Sequence, residues 1–296
     1  MYKRQPKETL ADLDALKRAW QRRADGGAYS ELTWLALVAI LRATSPVGTA
    51  QWQYVLPKKS KAKVLAPFQA FKAQVLTMAS DMAARQREEY GPQAQVYPED
   101  ARSCSSVPDN WATLVITSPP YANNYDYADA TRLEMSFFGE VQSWGDLQRV
   151  VRRYLIRSCT QHVAKMIGDT FLILSQPELA PIKAEIWEVC TQLARERRKH
   201  GGRKAYHTMI AAYFSDMALV WKALRKKTAP GGKICFVIGD SAPYGVHVPV
   251  ERWLGELALA AGFKSYRFEK IRDRNVKWKN RKHRVPLHEG RLWVEG

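Results

Sequence analysis

The chain has 296 residues, of which 46% are hydrophobic and ten are tryptophan, which is typical of a folded protein rather than a disordered one. Its net charge of +17 makes nucleic acid the first partner to consider, because Lys and Arg neutralise phosphates. No apolar run approaches the roughly 18 residues that span a bilayer. The four cysteines lack the Cys-x-x-Cys spacing of a zinc site. We therefore expect a cytoplasmic protein with reduced thiols, no membrane partner and no metal.

The first third of the chain is predicted to be helical. Apolar residues at helical spacing predict helices over about residues 7–24, 31–41 and 67–89. A polar and aromatic loop that contains Gln51 and Trp52 lies between the second and third helices. The apolar stripe of the first helix is compatible with a subunit interface and also with packing on the helix's own core.

Beyond residue 92, predicted strands and helices alternate, which is the signature of a parallel α/β sheet. A long helical insertion is expected between the second and third main strands, at about residues 128–227, with one short strand inside it at 170–174. The other predicted elements are strands at 93–97, 111–117 and 233–238, a helix at 248–261, and an antiparallel pair at 263–272 and 291–295.

The most informative stretch is Ser118-Pro119-Pro120-Tyr121, which follows the predicted strand at 111–117. Prolines cannot donate backbone hydrogen bonds and fix their own φ, so the segment is expected to be a stiff loop rich in acceptors. A planar substrate with an amino group could stack on the tyrosine ring and donate its protons to the loop. A proline-rich turn after a strand is the simpler interpretation of the same four residues.

These four residues resemble the catalytic motif of the amino-group DNA methyltransferases, in the Ser-Pro-Pro-Tyr form that is typical of the cytosine-N4 branch. The resemblance implies a class I methyltransferase (Rossmann-like) α/β sheet, present in part, with a helical N-terminal region over residues 1–92. The catalytic core would occupy residues 93–296 and include the helical insertion. It also implies S-adenosyl-L-methionine as the methyl donor and a cytosine flipped out of DNA, within a bacterial modification or phage-defence system.

The resemblance assigns roles to residues near the motif. Ser118 and the Pro119 carbonyl are expected to accept the amine protons beside Pro120, Tyr121 is expected to stack on the base, and Asp126 is a candidate for taking up a proton. Asp100, at the end of the strand predicted at 93–97, corresponds to the acidic residue that accepts the adenine N6 protons of the cofactor, although it could equally cap a turn. The remaining residues expected beside the cofactor are Ala101, Thr117 and Ser118.

The sequence departs from the family in the other half of the cofactor site. Such enzymes have a glycine-rich loop after their first strand, and no loop of that kind follows a predicted strand here. The segment 237–245 lacks its Gly-x-Gly core. We expect that a second polypeptide supplies the loop in a hetero-oligomeric, split enzyme. The alternatives are an inactive DNA-binding subunit and a cytidine-N4 methyltransferase that acts on RNA.

Basic residues are concentrated in two segments, one in the helical insertion and one between the last two strands. Because phosphate contacts position a protein on DNA without reading bases, we expect these segments to hold the DNA backbone. Gln51 and Trp52 are candidates for contacting bases. The phosphate-binding residues expected in the two segments are Arg198, Lys199, Arg203, Lys277, Lys279, Arg281 and Lys282.

Overall fold

The computed structural model of the protein describes residues 6–46, 64–87, 91–123, 125–274 and 285–296. The chain divides into two compact units. Unit 1 combines the described part of Met1–Gln95 with Tyr127–Leu147, and unit 2 combines Val96–Asp126 with the described part of Gln148–Gly296. Residues 127–147, expected at the start of the helical insertion, therefore pack in unit 1.

Unit 1 is helical, as the sequence predicted for its N-terminal part. The apolar stripe of the first helix packs within this unit, because Leu13 is buried against Leu37 and Ile40 of the second helix and against Phe137. Trp20 meets the ring of Phe138 edge-on at 5.9 Å. The helices are α1 (Lys7–Gln21), α2 (Ala28–Ile40), α3 (Pro67–Gln86), α4 (Tyr127–Ala130), α5 (Arg132–Phe138) and α6 (Trp144–Asp146).

Unit 2 is built on a four-stranded mixed sheet with the order β1-β2-β4-β3. The strands are β1 (Ala112–Thr117), β2 (Thr228–Gly239), β3 (Ser265–Arg274) and β4 (Leu287–Glu295). β1 runs parallel to β2, whereas β4 is antiparallel to both β2 and β3. The predicted strand at 111–117 and the final antiparallel pair are thereby confirmed. The helices of this unit are α7 (Thr170–Leu174), α8 (Lys183–Lys199), α9 (Tyr206–Lys227) and α10 (Val250–Ala260).

The core of unit 2 lies between the sheet and helices α9 and α10. Trp221 of α9 stacks on Phe236 of β2 at 4.5 Å, and Phe214 of α9 meets Trp253 of α10 edge-on at 5.0 Å. Of the 22 residues of α9, 17 are buried, so this helix is surrounded on nearly all sides. The predicted insertion thus contains the central helix of the unit.

β1 is an edge strand with apolar side chains on both faces. Val115 packs against the core, and strand alternation directs Leu114 and Ile116 to the opposite face. These two side chains are 53% and 67% exposed. Parallel strands are normally covered on both faces, so β1 is unusually open.

The strand predicted at residues 93–97 is wrong, because residues 91–100 form no strand or helix. Val96 is 88% exposed, and Tyr97 is exposed as well. A five-residue run gains little as an isolated strand, since it needs a neighbouring strand for its backbone hydrogen bonds.

The strand predicted at residues 170–174 is also wrong, because this segment forms helix α7. Its buried residues are Thr170, Ile173 and Leu174, whereas Phe171 and Leu172 are exposed. That spacing follows a helical period of 3.6 rather than the strand period of two. The Thr170 hydroxyl also hydrogen-bonds the Thr208 hydroxyl of α9 at 2.8 Å, which ties the segment to the core.

None of the helices among the described residues combines the length and the apolar character needed to cross a lipid bilayer.

The close packing at Gly290 gives a test of the sheet. A Cβ added at this position in β4 would lie 2.3 Å from the Glu269 carbonyl oxygen and 2.6 Å from the Phe268 ring. We expect Gly290→Ala to lower the free energy of unfolding by at least about 1–3 kcal/mol, because β3 would have to move away. Gly168→Ala is the matched control, since nothing lies within 4 Å of the added Cβ. Thermal melts followed by circular dichroism measure both, and equal melting temperatures would contradict the packing described.

Candidate functional site

Ser118 leaves the carboxyl end of β1 beside the neighbouring strand. Thr117 pairs with Phe236 of β2, and this register places the next residue, Ser118, against Val237. The Ser118 hydroxyl donates a hydrogen bond of 3.1 Å to the Val237 carbonyl oxygen. A hydroxyl has one proton and two lone pairs. Because the proton is directed at the sheet, the Ser118 oxygen keeps the capacity to accept a hydrogen bond from another group.

Pro119 supplies a second acceptor next to this hydroxyl. Among the described residues, no donor bonds the Pro119 carbonyl oxygen. Neither Pro119 nor Pro120 has a backbone N–H, so the loop offers acceptors without competing donors. Ser118 and Pro119 together form a short acceptor edge suited to an amino group.

Tyr121 is half-buried, and it is contacted by residues of β3 and β4, the two strands farthest from β1 in the sheet. The Arg274 guanidinium lies 4.9 Å from the centroid of the Tyr121 ring. Burial raises the pKa of Tyr121, and the nearby Glu289 carboxylate, which hydrogen-bonds the phenol, raises it further. The phenol is therefore uncharged at neutral pH. Ser118 lies within hydrogen-bonding reach of the same phenol.

Arg274 also connects Tyr121 to the end of β2. Its Nη1 donates to the Asp240 carbonyl oxygen at 2.7 Å. The approach depends on Gly239, because a Cβ at that position would lie 2.8 Å from the Arg274 nitrogen. The sequence pattern places Arg274 among the basic residues between the last two predicted strands and assigns no role to Glu289. Both lie at the ends of the antiparallel pair, in residues that the shorter predicted strands did not include.

Asp126 is buried in an ion pair. Its Oδ2 accepts hydrogen bonds from Arg152 at 2.6 Å and 2.9 Å, and its Oδ1 lies 3.2 Å from His162 Nε2. Burial raises the pKa of Asp126, but the hydrogen bonds from His162 and Arg152 outweigh burial and leave the pKa below its usual range. Such a carboxylate is a weak base. The contacts favour a role in ordering the segment after the motif over the predicted uptake of a proton.

Asp100 accepts hydrogen bonds from Arg102 through both carboxylate oxygens, the shortest at 2.6 Å. The Arg102 guanidinium lowers the pKa of Asp100. Arg102 reaches on to the buried carboxylate of Asp216 at 3.1 Å, and Arg157 bonds the same carboxylate at 2.7 Å. Asp100 therefore belongs to a charged network in unit 2. Its assignment to the cofactor adenine remains a prediction.

The remaining predicted residues are exposed or lie outside the described chain. Ala101 and Thr117 are exposed, and neither side chain carries a charge. Arg198 and Lys199 end α8, and Arg203 follows the turn at Gly201 and Gly202. All three basic side chains are exposed, and Lys199 pairs with Glu196 at 2.6 Å. The predicted residues that lie outside the described residues are Gln51, Trp52, Lys277, Lys279, Arg281 and Lys282.

The sequence is similar to those of curated Type II methyltransferases. It is 25% identical over 178 residues to Type II methyltransferase M.BsoBI from Geobacillus stearothermophilus, an alignment that covers 57% of this chain and 34% of that enzyme. It is 30% identical over 156 residues to Type II methyltransferase M.AvaI from Nostoc and from Anabaena variabilis, covering 50% of this chain and 30% of each relative. This similarity confirms the resemblance to DNA methyltransferases. The chain spans about a third of the length of these relatives.

A solved structure of a protein described as a DNA modification methylase from Thermus thermophilus overlaps 67% of this chain and 50% of its own. The sequence identity is 14% and the TM-score is 0.25, which is too low to assign the fold. No protein-family profile matches the chain. The described chain combines helices with a four-stranded mixed sheet. Its assignment to the class I methyltransferase fold remains a proposal.

The described residues offer only some of the groups that would bind S-adenosylmethionine and the target amine. Ser118 and Pro119 offer acceptors for a target amine, and Asp100 offers a carboxylate that Arg102 already engages. Among the described residues, no glycine-rich turn follows β1, and β2 leads into Asp240-Ser241-Ala242 instead. The described residues therefore do not form a cradle for the methionine part of the cofactor.

The buried pair of Asp126 and Arg152 gives a test of the segment after the motif. Arg152→Met should remove the guanidinium that bonds the buried Asp126 carboxylate, and removing one partner of a buried ion pair destabilises proteins by about 3–5 kcal/mol. Arg153→Met is the control, because Arg153 is exposed and lies on the Tyr154 ring. Urea unfolding of both variants measures the difference. An unchanged midpoint for Arg152→Met would show that the pair does not hold this segment.

Proposed function

We propose that this chain is the catalytic and DNA-recognising part of a methyltransferase that transfers a methyl group from S-adenosylmethionine to the N4 amine of cytosine in DNA. The observation that carries the proposal is the acceptor edge of Ser118 and Pro119 at the carboxyl end of β1. The similarity to Type II methyltransferases supports the reaction class. The Ser-Pro-Pro-Tyr form of the motif supports cytosine as the target base.

The acceptor edge matches the chemical difficulty of the reaction. The amine of cytosine is a poor nucleophile because its lone pair is delocalised into the ring. Two acceptors that bind the amine protons favour the geometry in which this lone pair becomes available, so they stabilise the transition state more than the ground state. Ser118 suits this role because its own proton is held by Val237. Tyr121, clamped by Arg274, provides a preorganised aromatic surface for the base.

The methyl donor requires residues that the described part of the chain does not present. S-adenosylmethionine supplies an electrophilic methyl group on a sulfonium, and its methionine part needs a close backbone approach that glycines permit. We propose that a second polypeptide provides this cradle. The open edge of β1 supports the idea, because no strand of the described residues pairs along it, and Leu114 and Ile116 expose apolar surface on one face of the same strand. A strand added to this edge parallel to β1 would bring its carboxyl end beside Ser118.

DNA is the proposed substrate because the chain is strongly basic and is similar to Type II methyltransferases. The amine of a paired cytosine faces its partner base, so the nucleotide must rotate out of the duplex at a cost of a few kcal/mol. The net charge of +17 supplies the phosphate contacts that hold the distorted DNA. Exposed Arg198 and Arg203 have no acidic partner among the described residues and are available for such contacts.

The catalytic role of the motif predicts selective loss of activity. Ser118→Ala and Tyr121→Ala should each lower the rate of methyl transfer at least ~10-fold, about 1.4 kcal/mol of transition-state stabilisation. The variants are expressed in the native host lacking the wild-type gene, and N4-methylcytosine in its DNA is measured over time by mass spectrometry. Ser175→Ala is the control, because its hydroxyl only bonds the Phe171 carbonyl of α7. Full methylation by both motif variants would refute the assignment, and N6-methyladenine alone would refute the base.

The need for a second polypeptide predicts that cofactor affinity depends on the assembly. The isolated chain should bind S-adenosylmethionine weakly or not at all in calorimetry, and the complex co-purified from the native host should bind it. Leu114→Glu together with Ile116→Glu should weaken the complex, since the charges would lie on the apolar side of β1. Micromolar cofactor affinity in the verified monomer would overturn the split arrangement without affecting the motif.

Phosphate contact predicts a particular salt dependence. Replacing Arg198, Lys199 and Arg203 with Gln should weaken binding to all duplex sequences alike, because backbone contacts carry no base information. The slope of log affinity against log salt should fall by about 0.9 for each phosphate that is no longer neutralised. Fluorescence anisotropy at several salt concentrations measures both quantities. Replacing Lys7, Arg22 and Arg23 with Gln removes the same charge from unit 1 as a control, and equal effects of the two variants would argue against a local contact.

A further inference from the structure

A cluster of ionisable side chains in unit 2 has no part in the methyl-transfer proposal. Asp240 follows the end of β2, Glu251 lies in the first turn of α10, and His288 is near the start of β4. One oxygen or nitrogen atom from each residue lies within 4.8 Å of the others. His247, from the loop between β2 and α10, lies 3.3 Å from Asp240 through its Nε2.

Asp240 is buried and Glu251 is half-buried, and the hydrogen bonding of both carboxylates is incomplete. Asp240 is 1% exposed, and its Oδ2 lies 2.9 Å from His288 Nδ1. Glu251 Oε1 lies 3.3 Å from His288 Nε2. The other oxygens, Asp240 Oδ1 and Glu251 Oε2, are both buried and have no donor among the described residues. An unpaired buried carboxylate oxygen is strongly unfavourable, so these two oxygens require either a bound cation or a shared proton.

A second cluster in the same unit shows what a completed arrangement looks like. Asp126, Cys159 and His162 also bring their ligand atoms within 4.8 Å. There, however, Arg152 and His162 satisfy both oxygens of Asp126. Burial raises the pKa of the Cys159 thiol to about 12. This cluster needs no cation.

No Arg or Lys side chain among the described residues pairs with Asp240 or Glu251. Arg274 approaches Asp240 but bonds its backbone carbonyl. The two carboxylates, when ionised, contribute a charge of −2 to the cluster. That charge, with carboxylate and imidazole ligands together, matches a divalent first-row transition metal better than Mg²⁺ or Ca²⁺, which prefer oxygen ligands alone.

We propose that Asp240, Glu251 and His288 bind a divalent transition-metal ion of the Zn²⁺ class, with His247 as a further ligand. The ion joins the end of β2, α10 and β4, which are three separate segments of unit 2. The ligand His288 directly precedes Glu289, which contacts Tyr121. The ligand Asp240 holds Arg274 through its backbone carbonyl. Its role is to fix these supports of the motif rather than to take part in methyl transfer.

A shared proton is the competing explanation for the unpaired oxygens. Burial and the neighbouring Asp240 carboxylate raise the pKa of Glu251 to about 8. Without a cation, Glu251 would hold a proton at neutral pH and donate it to Asp240. Glu251→Gln separates the two explanations, because an amide reproduces the neutral hydrogen-bonding group but is a poor metal ligand.

The test uses the full chain without a polyhistidine tag, stripped with EDTA and then titrated with ZnSO₄ in a calorimeter. We expect one equivalent of Zn²⁺ to bind with micromolar or tighter affinity and to raise the melting temperature. Asp240→Asn, His288→Gln and Glu251→Gln should each lower the affinity at least ~10-fold. His200→Gln, which removes an exposed histidine stacked on Tyr244, should not. Co²⁺ should give visible absorption bands in the wild type and the control only.

Three results would overturn the proposal. The first is no heat and no change in melting temperature when Zn²⁺ is added to the stripped wild type. The second is Zn²⁺ binding that Glu251→Gln and His288→Gln both leave intact, which would place the metal elsewhere in the chain. The third is a Glu251→Gln variant that matches the wild type in stability with and without Zn²⁺, as a shared proton predicts. Because the first result needs no variant, misfolding of a variant cannot hide it.

Discussion

The parallel pairing of β1 with β2 is the constraint on which the site depends. The register that aligns Thr117 with Phe236 also sets Ser118 beside Val237, where the hydroxyl proton finds its acceptor. The same strand β2 continues to Asp240, whose carbonyl anchors Arg274 and, through Arg274, the ring of Tyr121. A slip of one residue would turn the side chains of β1 to the opposite faces of the sheet. The loop would then lose both its anchor and its aromatic clamp.

Unit 2 buries its carboxylates in two chemically different ways. Asp126 and Asp216 each face guanidinium groups, which remain charged at any physiological pH and supply several donors in a fixed geometry. Asp240 faces the imidazole side chains of His247 and His288 and the carboxylate of Glu251, which shares His288. In the first arrangement, the guanidinium groups neutralise the carboxylates and hold them in a fixed geometry. The second leaves buried oxygens unpaired, and that difference is why only the second points to an additional ligand.

The two faces of β1 contribute differently to the proposed site. One face contributes Val115 to the core that α9 organises, and this contact fixes the strand. The other face exposes Leu114 and Ile116, and the outer edge has no strand beside it among the described residues. The acceptor edge at the end of β1 is therefore held from one side only. A partner that covers the open side would place its own strand ends next to the acceptors, where ligands of parallel sheets bind.

Local patterns were sufficient for much of the fold. The apolar periodicity of α1, α2 and α3 was strong enough to predict these helices, and the β-branched run before Ser118 predicted β1. Short segments failed where their structure depends on neighbours. Residues 170–174 could have been a strand by composition, but the sheet offers them no partner, and the Thr208 hydroxyl of α9 fixes them as a helix. Among the described residues, no strand pairs with residues 93–97.

The sequence by itself determined the motif, because Ser118, the two prolines and Tyr121 are adjacent in the chain. Only the tertiary structure decided which groups surround that motif. Arg274, Glu289 and Asp240 are more than 100 residues away in the chain; strand pairing brings Arg274 and Glu289 to Tyr121, and Asp240 bonds Arg274. Whether Asp126 is a base or one half of a buried ion pair likewise depends on Arg152. Charge and hydrogen bonding are set by distance in space, which a linear pattern does not encode for residues so far apart.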